Sequence, residues 1–142
     1  MLGIINVYLL WGSWRDLKKK MISDQYLWFG GIAGIIYSLI KMIAGGFVWE
    51  ERFMAYLPGL LILAIAKITG EKIGYGDGWV VLILGNFLEL FEIYVMLQFA
   101  VILAAVVSVG LLYMKKAGRE YRIPFLPFLW AAYTCQWGIR YV

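Results

Sequence analysis

Apolar runs long enough to form membrane helices alternate along this chain with short charged segments, and that alternation restricts its fold more than any single motif does. A bilayer core about 30 Å thick is crossed by ~20 apolar residues in a helix. The runs predict an all-α integral membrane protein, a bundle of about six transmembrane helices forming a single domain over residues 1–142. Composition agrees: 63% of the residues are hydrophobic and 15% charged, with mean hydropathy +0.79, whereas globular domains are about 45–50% apolar.

The first span, Leu2 to Trp14, is followed by Arg15, Lys18, Lys19 and Lys20. That order does not suit a cleavable signal peptide. It fits a helix that ends in the cytoplasm, lengthened through Asp16 and Leu17. The second span runs from about Tyr26 to Phe47, and its Gly30 and Gly34, four apart, allow a neighbouring helix to approach closely. The third covers about Phe53 to Ile68, with Pro58-Gly59 as the site of an expected kink. A fourth, opening at Gly78, rises only ~17 Å by Leu88. It is expected to continue to about Glu92, with Glu89 and Glu92 at the outer surface; the alternative is a locally thinned bilayer and a turn beginning at Gly85-Asn86. The fifth runs from about Ile93 to Met114, and the sixth opens at Ile123-Pro124-Phe125-Leu126-Pro127-Phe128. Proline is tolerated in a first helical turn, where its missing N–H would be unpaired anyway.

Charge tests this drawing independently. Arg15, Lys18, Lys19, Lys20, Lys67, Lys72, Lys115, Lys116, Arg119 and Arg122 fall on one side, leaving Lys41, Arg52 and Arg140 for the other. By the positive-inside rule the first group is cytoplasmic and both termini lie outside. The formal charge of +4 does not point to nucleic acid, because no basic stripe is interleaved with exposed aromatics. With no His and one Cys, Cys135, zinc centres, disulfide frameworks and His-based triads are excluded within the chain. Cys135, in an apolar stretch, is read as packing.

Gly74-Tyr75-Gly76-Asp77-Gly78-Trp79 breaks most sharply with this composition, setting one carboxylate among three glycines just before an apolar run. Gly74, Gly76 and Gly78 permit unusual backbone angles and the close approach of another chain. They are expected to form a substrate-binding loop. Asp77 occupies the place of an N-cap for a helix beginning at Gly78. Capping alone would explain it in a soluble protein, but an ionisable group at a membrane helix is a functional hypothesis. Asp16 is the candidate partner, at the same membrane face, where the negative end of its own helix dipole disfavours a carboxylate. The plainer reading of Asp16 is a surface network with Arg15, Lys19 or Lys20. Asp24 reads as an N-cap of the second span and Glu71 as a solvated charge beside Lys72. Two carboxylates held together share a proton; one activates water against a peptide carbonyl while the other donates to the oxyanion. Ser13, Ser23 and Ser108 have no His to activate them, which leaves only a Ser with a Lys base as a rival nucleophile.

Three segments together resemble the type IV prepilin peptidase family, a group of GxGD intramembrane aspartic peptidases. Asp16-Leu17-Lys18-Lys19-Lys20-Met21-Ile22-Ser23 is similar to the family's first aspartate segment, Gly74-Tyr75-Gly76-Asp77 to its GxGD motif, and residues 123–128 to the opening of its last helix. The resemblance implies cleavage of the basic leader of prepilins, pseudopilins or related precursors at the cytoplasmic face of the inner membrane. It makes Asp16 and Asp77 catalytic, with a precursor protein and the lipid bilayer as partners. Ser23 stands in place of the family's usual Pro, and Trp79 where many members have Lys. Larger members carry a CxxC-containing insertion and an N-methyltransferase activity; the single cysteine here implies a peptidase-only form, without metal or other cofactor.

A reading from another class is a noncatalytic membrane subunit or small ion or proton transporter using Asp16 and Asp77. A transport path would place polar groups near the midplane, where the last two spans offer little beyond Gln98, Ser108, Thr134 and Gln136. Presenilin-like GxGD enzymes fit less well, since no Tyr precedes either aspartate.

Overall fold

The computed structural model describes residues 2–19, 22–70, 74–114 and 124–141. Lys20, Met21, Glu71, Lys72 and residues 115–123, with their share of the basic residues and Ile123, lie outside the described residues. Six helices are present among the described residues: α1 Leu2–Lys19, α2 Asp24–Ile43, α3 Trp49–Ile68, α4 Tyr75–Phe87, α5 Leu90–Tyr113 and α6 Leu126–Tyr141. Two of them, α2 and α5, are long and apolar enough to cross a bilayer.

The apolar runs therefore become helices, but caps decide where each one stops. α2 ends at Ile43 and not near Phe47, because Gly45 adopts φ +74° and two amides turn back, Gly46 N–H to the Lys41 carbonyl and Gly45 N–H to that of Met42. This is a Schellman termination, which favours glycine at the left-handed position. At the other end of α2 the N-cap is Ser23, so Asp24 is the first helical residue and not the cap.

α3 runs through Pro58 without interruption. Proline leaves the carbonyl four residues earlier without its helical donor, and the Tyr94 hydroxyl donates to that carbonyl, Met54 O, at 3.2 Å.

α4 differs most from expectation. It begins at Tyr75, three residues before Gly78, and ends at Phe87 instead of continuing to Glu92, with Leu88 extended at φ −92°, ψ 150°. The cause is Arg52, 8% exposed, whose Nη1 donates to the carbonyls of Gly85 (2.8 Å), Asn86 (2.9 Å) and Leu88 (3.4 Å). A guanidinium there meets both the unpaired carbonyls and the negative end of the dipole. α5 then starts afresh, with the Glu92 carboxylate accepting from the Glu89 N–H at 3.2 Å, the acidic half of a capping box.

The chain divides into two compact units, residues 21–94 and residues 1–20 with 95–142. In the first of these α4 is central, burying Gly78, Val80, Val81, Ile83, Leu84 and Gly85. α3 packs on it antiparallel in one register. A Cβ built on Gly78 would meet Leu63 Cγ at 2.8 Å, one on Gly59 would meet the Leu82 backbone N at 2.8 Å, and one on Gly85 would meet Tyr56 Cδ1 at 3.0 Å. α2 offers Tyr26, Gly30 and Gly34 as its buried stripe, and a Cβ on Gly34 would lie 3.0 Å from Asn86 Nδ2. Small residues thus bring these backbones together, as membrane helix pairs require. Asn86 Oδ1 joins the three helices by accepting from Ser38 Oγ at 2.8 Å and Tyr56 Oη at 2.7 Å.

Gly59→Ala is therefore expected to lower stability by about 1–3 kcal/mol through overpacking. Gly31→Ala, with nothing within 4 Å of its new Cβ, is expected to be neutral or slightly stabilising, since Ala favours a helix interior by about 1 kcal/mol over Gly. Thermal unfolding of both variants in one detergent checks this; equal melting temperatures would refute the close α3–α4 register.

The other unit is built on α1 against α6. Ile5, Leu9, Gly12, Ser13 and Asp16 form one buried stripe on α1, and Leu126, Leu129, Ala132 and Tyr133 a stripe on α6. Trp130 Nε1–H donates to Asn6 Oδ1 at 2.7 Å across this pair.

Candidate active site

Asp16 is 5% exposed and closes the buried stripe of α1. Its environment resolves the objection that a carboxylate is misplaced at a helix C-terminus, because the positive end of a second helix meets it. The Leu126 N–H, first in α6, donates to Asp16 Oδ2 at 3.4 Å. Chemistry in the first turn of α6 leaves that donor available. The Phe128 and Leu129 N–H groups turn back to the Phe125 carbonyl at 3.0 and 3.2 Å, and Pro127 has none. The sequence pattern marks the segment as a helix opening, but a backbone donor 110 residues from the carboxylate leaves no local signal.

Two neighbouring cations lie over aromatic rings of α1. The Arg15 guanidinium sits 5.5 Å from the Trp11 ring centroid and Lys18 Nζ 5.1 Å from that of Trp14. Ser13 is buried, and its hydroxyl donates to the Leu9 carbonyl at 2.7 Å within the same helix.

Asp77 lies in the first turn of α4, but not as its cap. Gly74 is the N-cap, and Asp77 is the third helical residue, its N–H donating to the Gly74 carbonyl at 3.0 Å. Starting the helix at Tyr75 moves the carboxylate from the cap to a place where it folds back over Gly74, so that a Cβ on Gly74 would collide with it. The dipole argument survives this correction, since an acidic residue in the first turn still faces the positive end.

The chain's own atoms occupy the space left by the three glycines: the Asp77 carboxylate beside Gly74, Ile22 beside Gly76 (Cβ to Cδ1 2.8 Å) and Leu63 beside Gly78. Ile22 belongs to the first aspartate's segment, and Leu63 to α3. Trp79 is exposed, with its ring edge-on to Tyr75 at 6.4 Å between centroids. Asp77 and the three glycines are thus gathered in one turn of the unit 21–94, whereas Asp16 belongs to the other unit.

The model of the type IV leader peptidase family matches residues 4–109, most of the chain and both aspartates. The chain belongs to the type IV leader peptidase family. It is 29% identical over 125 residues to the prepilin leader peptidase/N-methyltransferase of Aeromonas hydrophila, a match covering 80% of this chain and 40% of that protein. The protein of the same description from Aeromonas salmonicida (strain A449) is 28% identical over the same shares. The chain thus spans about 40% of the length of these curated relatives. No solved structure matches it. The family is one of membrane peptidases, in keeping with the two long apolar helices. The family match stops before α6, so the helix opening that meets Asp16 lies outside it.

Proposed function

We propose that this chain is an aspartic endopeptidase that removes the leader of prepilins, pseudopilins or related precursors at the cytoplasmic face of the inner membrane. Asp16 and Asp77 form its catalytic pair. One ionised carboxylate takes a proton from the attacking water, and the protonated partner donates to the carbonyl oxygen as the tetrahedral intermediate forms. On collapse, a proton passes to the leaving amine and the pair returns to its singly protonated state.

The observation that carries this reading is that each aspartate of a family peptidase is met by the amino end of a helix, Asp16 by α6 and Asp77 by α4. In addition, Ile22, from the first aspartate's segment, packs on Gly76 of the second. The glycine turn, Gly74 to Gly78, is the proposed entry for the precursor's extended cleavage segment. No cofactor takes part, and the activity proposed is peptidase alone. Co-expression with candidate prepilins tests the proposal: leader loss is expected for a cognate precursor, and full-length precursor throughout would refute it.

The proposed topology has six spans and a cytoplasmic active face. In a Cys135→Ser background, Lys18→Cys and Lys67→Cys are expected to resist an impermeant thiol reagent on intact cells, while Glu50→Cys reacts. Labelling of the Lys18 site from outside would invert the arrangement and remove the aspartates from the leader.

A further inference from the structure

Asp16 lies at the carboxyl end of α1, where the dipole of its own helix opposes its charge. A catalytic carboxylate must nevertheless be held in a defined orientation, and long or mobile partners do this poorly. The first turn of α6 is built to supply a rigid one. Of its four leading N–H groups, two are directed to Phe125 O and one is removed by Pro127, which leaves Leu126 N–H aimed at Asp16 Oδ2. Leu126 itself is fully buried, so the donor cannot swing away with its side chain.

From this arrangement we infer that the Leu126 backbone N–H is a positioning group for the peptidase reaction, orienting the Asp16 carboxylate towards water and the scissile carbonyl. The inference rests on the leader-peptidase reading above and adds to it a function for the Pro124-to-Phe128 segment. Leu126 acts through Asp16, to whose carboxylate its N–H donates.

No side-chain truncation removes this donor, but proline does. Position 126 is the first residue of α6, and the first helical position accepts proline. Leu126→Pro is therefore expected to lower kcat for leader cleavage about 10- to 100-fold, with KM changed less than about threefold, the scale of loss that follows misplacement of a reacting group. Leu126→Ala keeps the N–H and removes more of the buried side chain. It is expected to lose more thermal stability than Leu126→Pro and less kcat. If the proline variant is recovered misfolded, replacing Leu126 with its α-hydroxy acid by nonsense suppression removes the N–H alone, and the same fall in kcat is expected.

All variants are assayed as full-length protein with a precursor the wild-type chain cleaves. A kcat within threefold of wild type for the α-hydroxy acid form would overturn the positioning role while leaving the peptidase reading intact. A larger kcat loss in Leu126→Ala than in Leu126→Pro would assign the effect to packing and overturn it as well. A wild-type chain that cleaves no precursor would overturn the peptidase reading, and this role with it.

Discussion

Asp16→Asn and Asp77→Asn are each expected to reduce leader cleavage by about 10³-fold or more while leaving expression and membrane insertion near wild type. Asparagine preserves size and leaves an oxygen to accept the Leu126 N–H, so the packing at α1 and α6 survives the change. It cannot take a proton from water or share one with the opposite carboxylate, and the two half-reactions fail together. The double variant should be no worse than either single one, because residues that act as a unit lose their effect once. Asp24→Asn is the internal comparison. That residue is exposed at the first position of α2, and its loss is expected to leave cleavage within about twofold, as surface changes usually do. Near-native cleavage by either Asp16→Asn or Asp77→Asn would remove that residue from catalysis.

Gly74→Ala is expected to be the most damaging substitution that leaves both carboxylates in place. The new methyl group would collide with the Asp77 carboxylate. The side chain must then rotate out of the turn, or the start of α4 must unwind. Either movement exceeds the tolerance of acid–base chemistry, where a displacement of about 1 Å can cost 10²-fold in rate. A loss of about 10- to 100-fold in kcat is therefore expected, with a melting temperature close to wild type because the clash falls on one half-buried side chain in the first turn of α4. Measuring both quantities on purified protein separates this outcome from general unfolding. Wild-type turnover by Gly74→Ala would show that the folded-back carboxylate is not the reactive arrangement.

Much of this was legible along the chain, though unequally. The apolar runs become helices because in a membrane protein hydropathy and helix formation coincide. Their ends were misplaced wherever a cap decided the matter. Gly45-Gly46 is a local signal for the end of α2, and Glu89 with Glu92 three residues later is a local signal for the start of α5. Arg52 is different in kind. Its charge suggested an outer surface, yet its guanidinium is buried on carbonyls 33 to 36 residues away, which no local pattern discloses.

The two aspartates divide in the same way. The burial of Asp16 follows from its place on the stripe of Ile5, Leu9, Gly12 and Ser13, a helical period visible in the sequence. Its contact with Leu126 does not, because backbone donors carry no residue signature. At Asp77 the glycine pattern reads as a bare turn open to the close approach of another chain. The three glycines accommodate the chain's own Asp77, Ile22 and Leu63, an intramolecular demand that composition alone does not separate from room for a substrate.

The central claim is that two carboxylates, without metal or a covalent nucleophile, cut one peptide bond in a membrane-embedded precursor. It is tested most directly by reconstituting the purified chain in lipid nanodiscs with a purified prepilin-class precursor and determining product masses. The expected result is a single cut between the basic leader and the apolar helix that follows it, at an undiminished rate in excess chelator and after serine- and thiol-directed reagents. Absence of any cut, or a cut abolished by the chelator or by either reagent, would contradict the account.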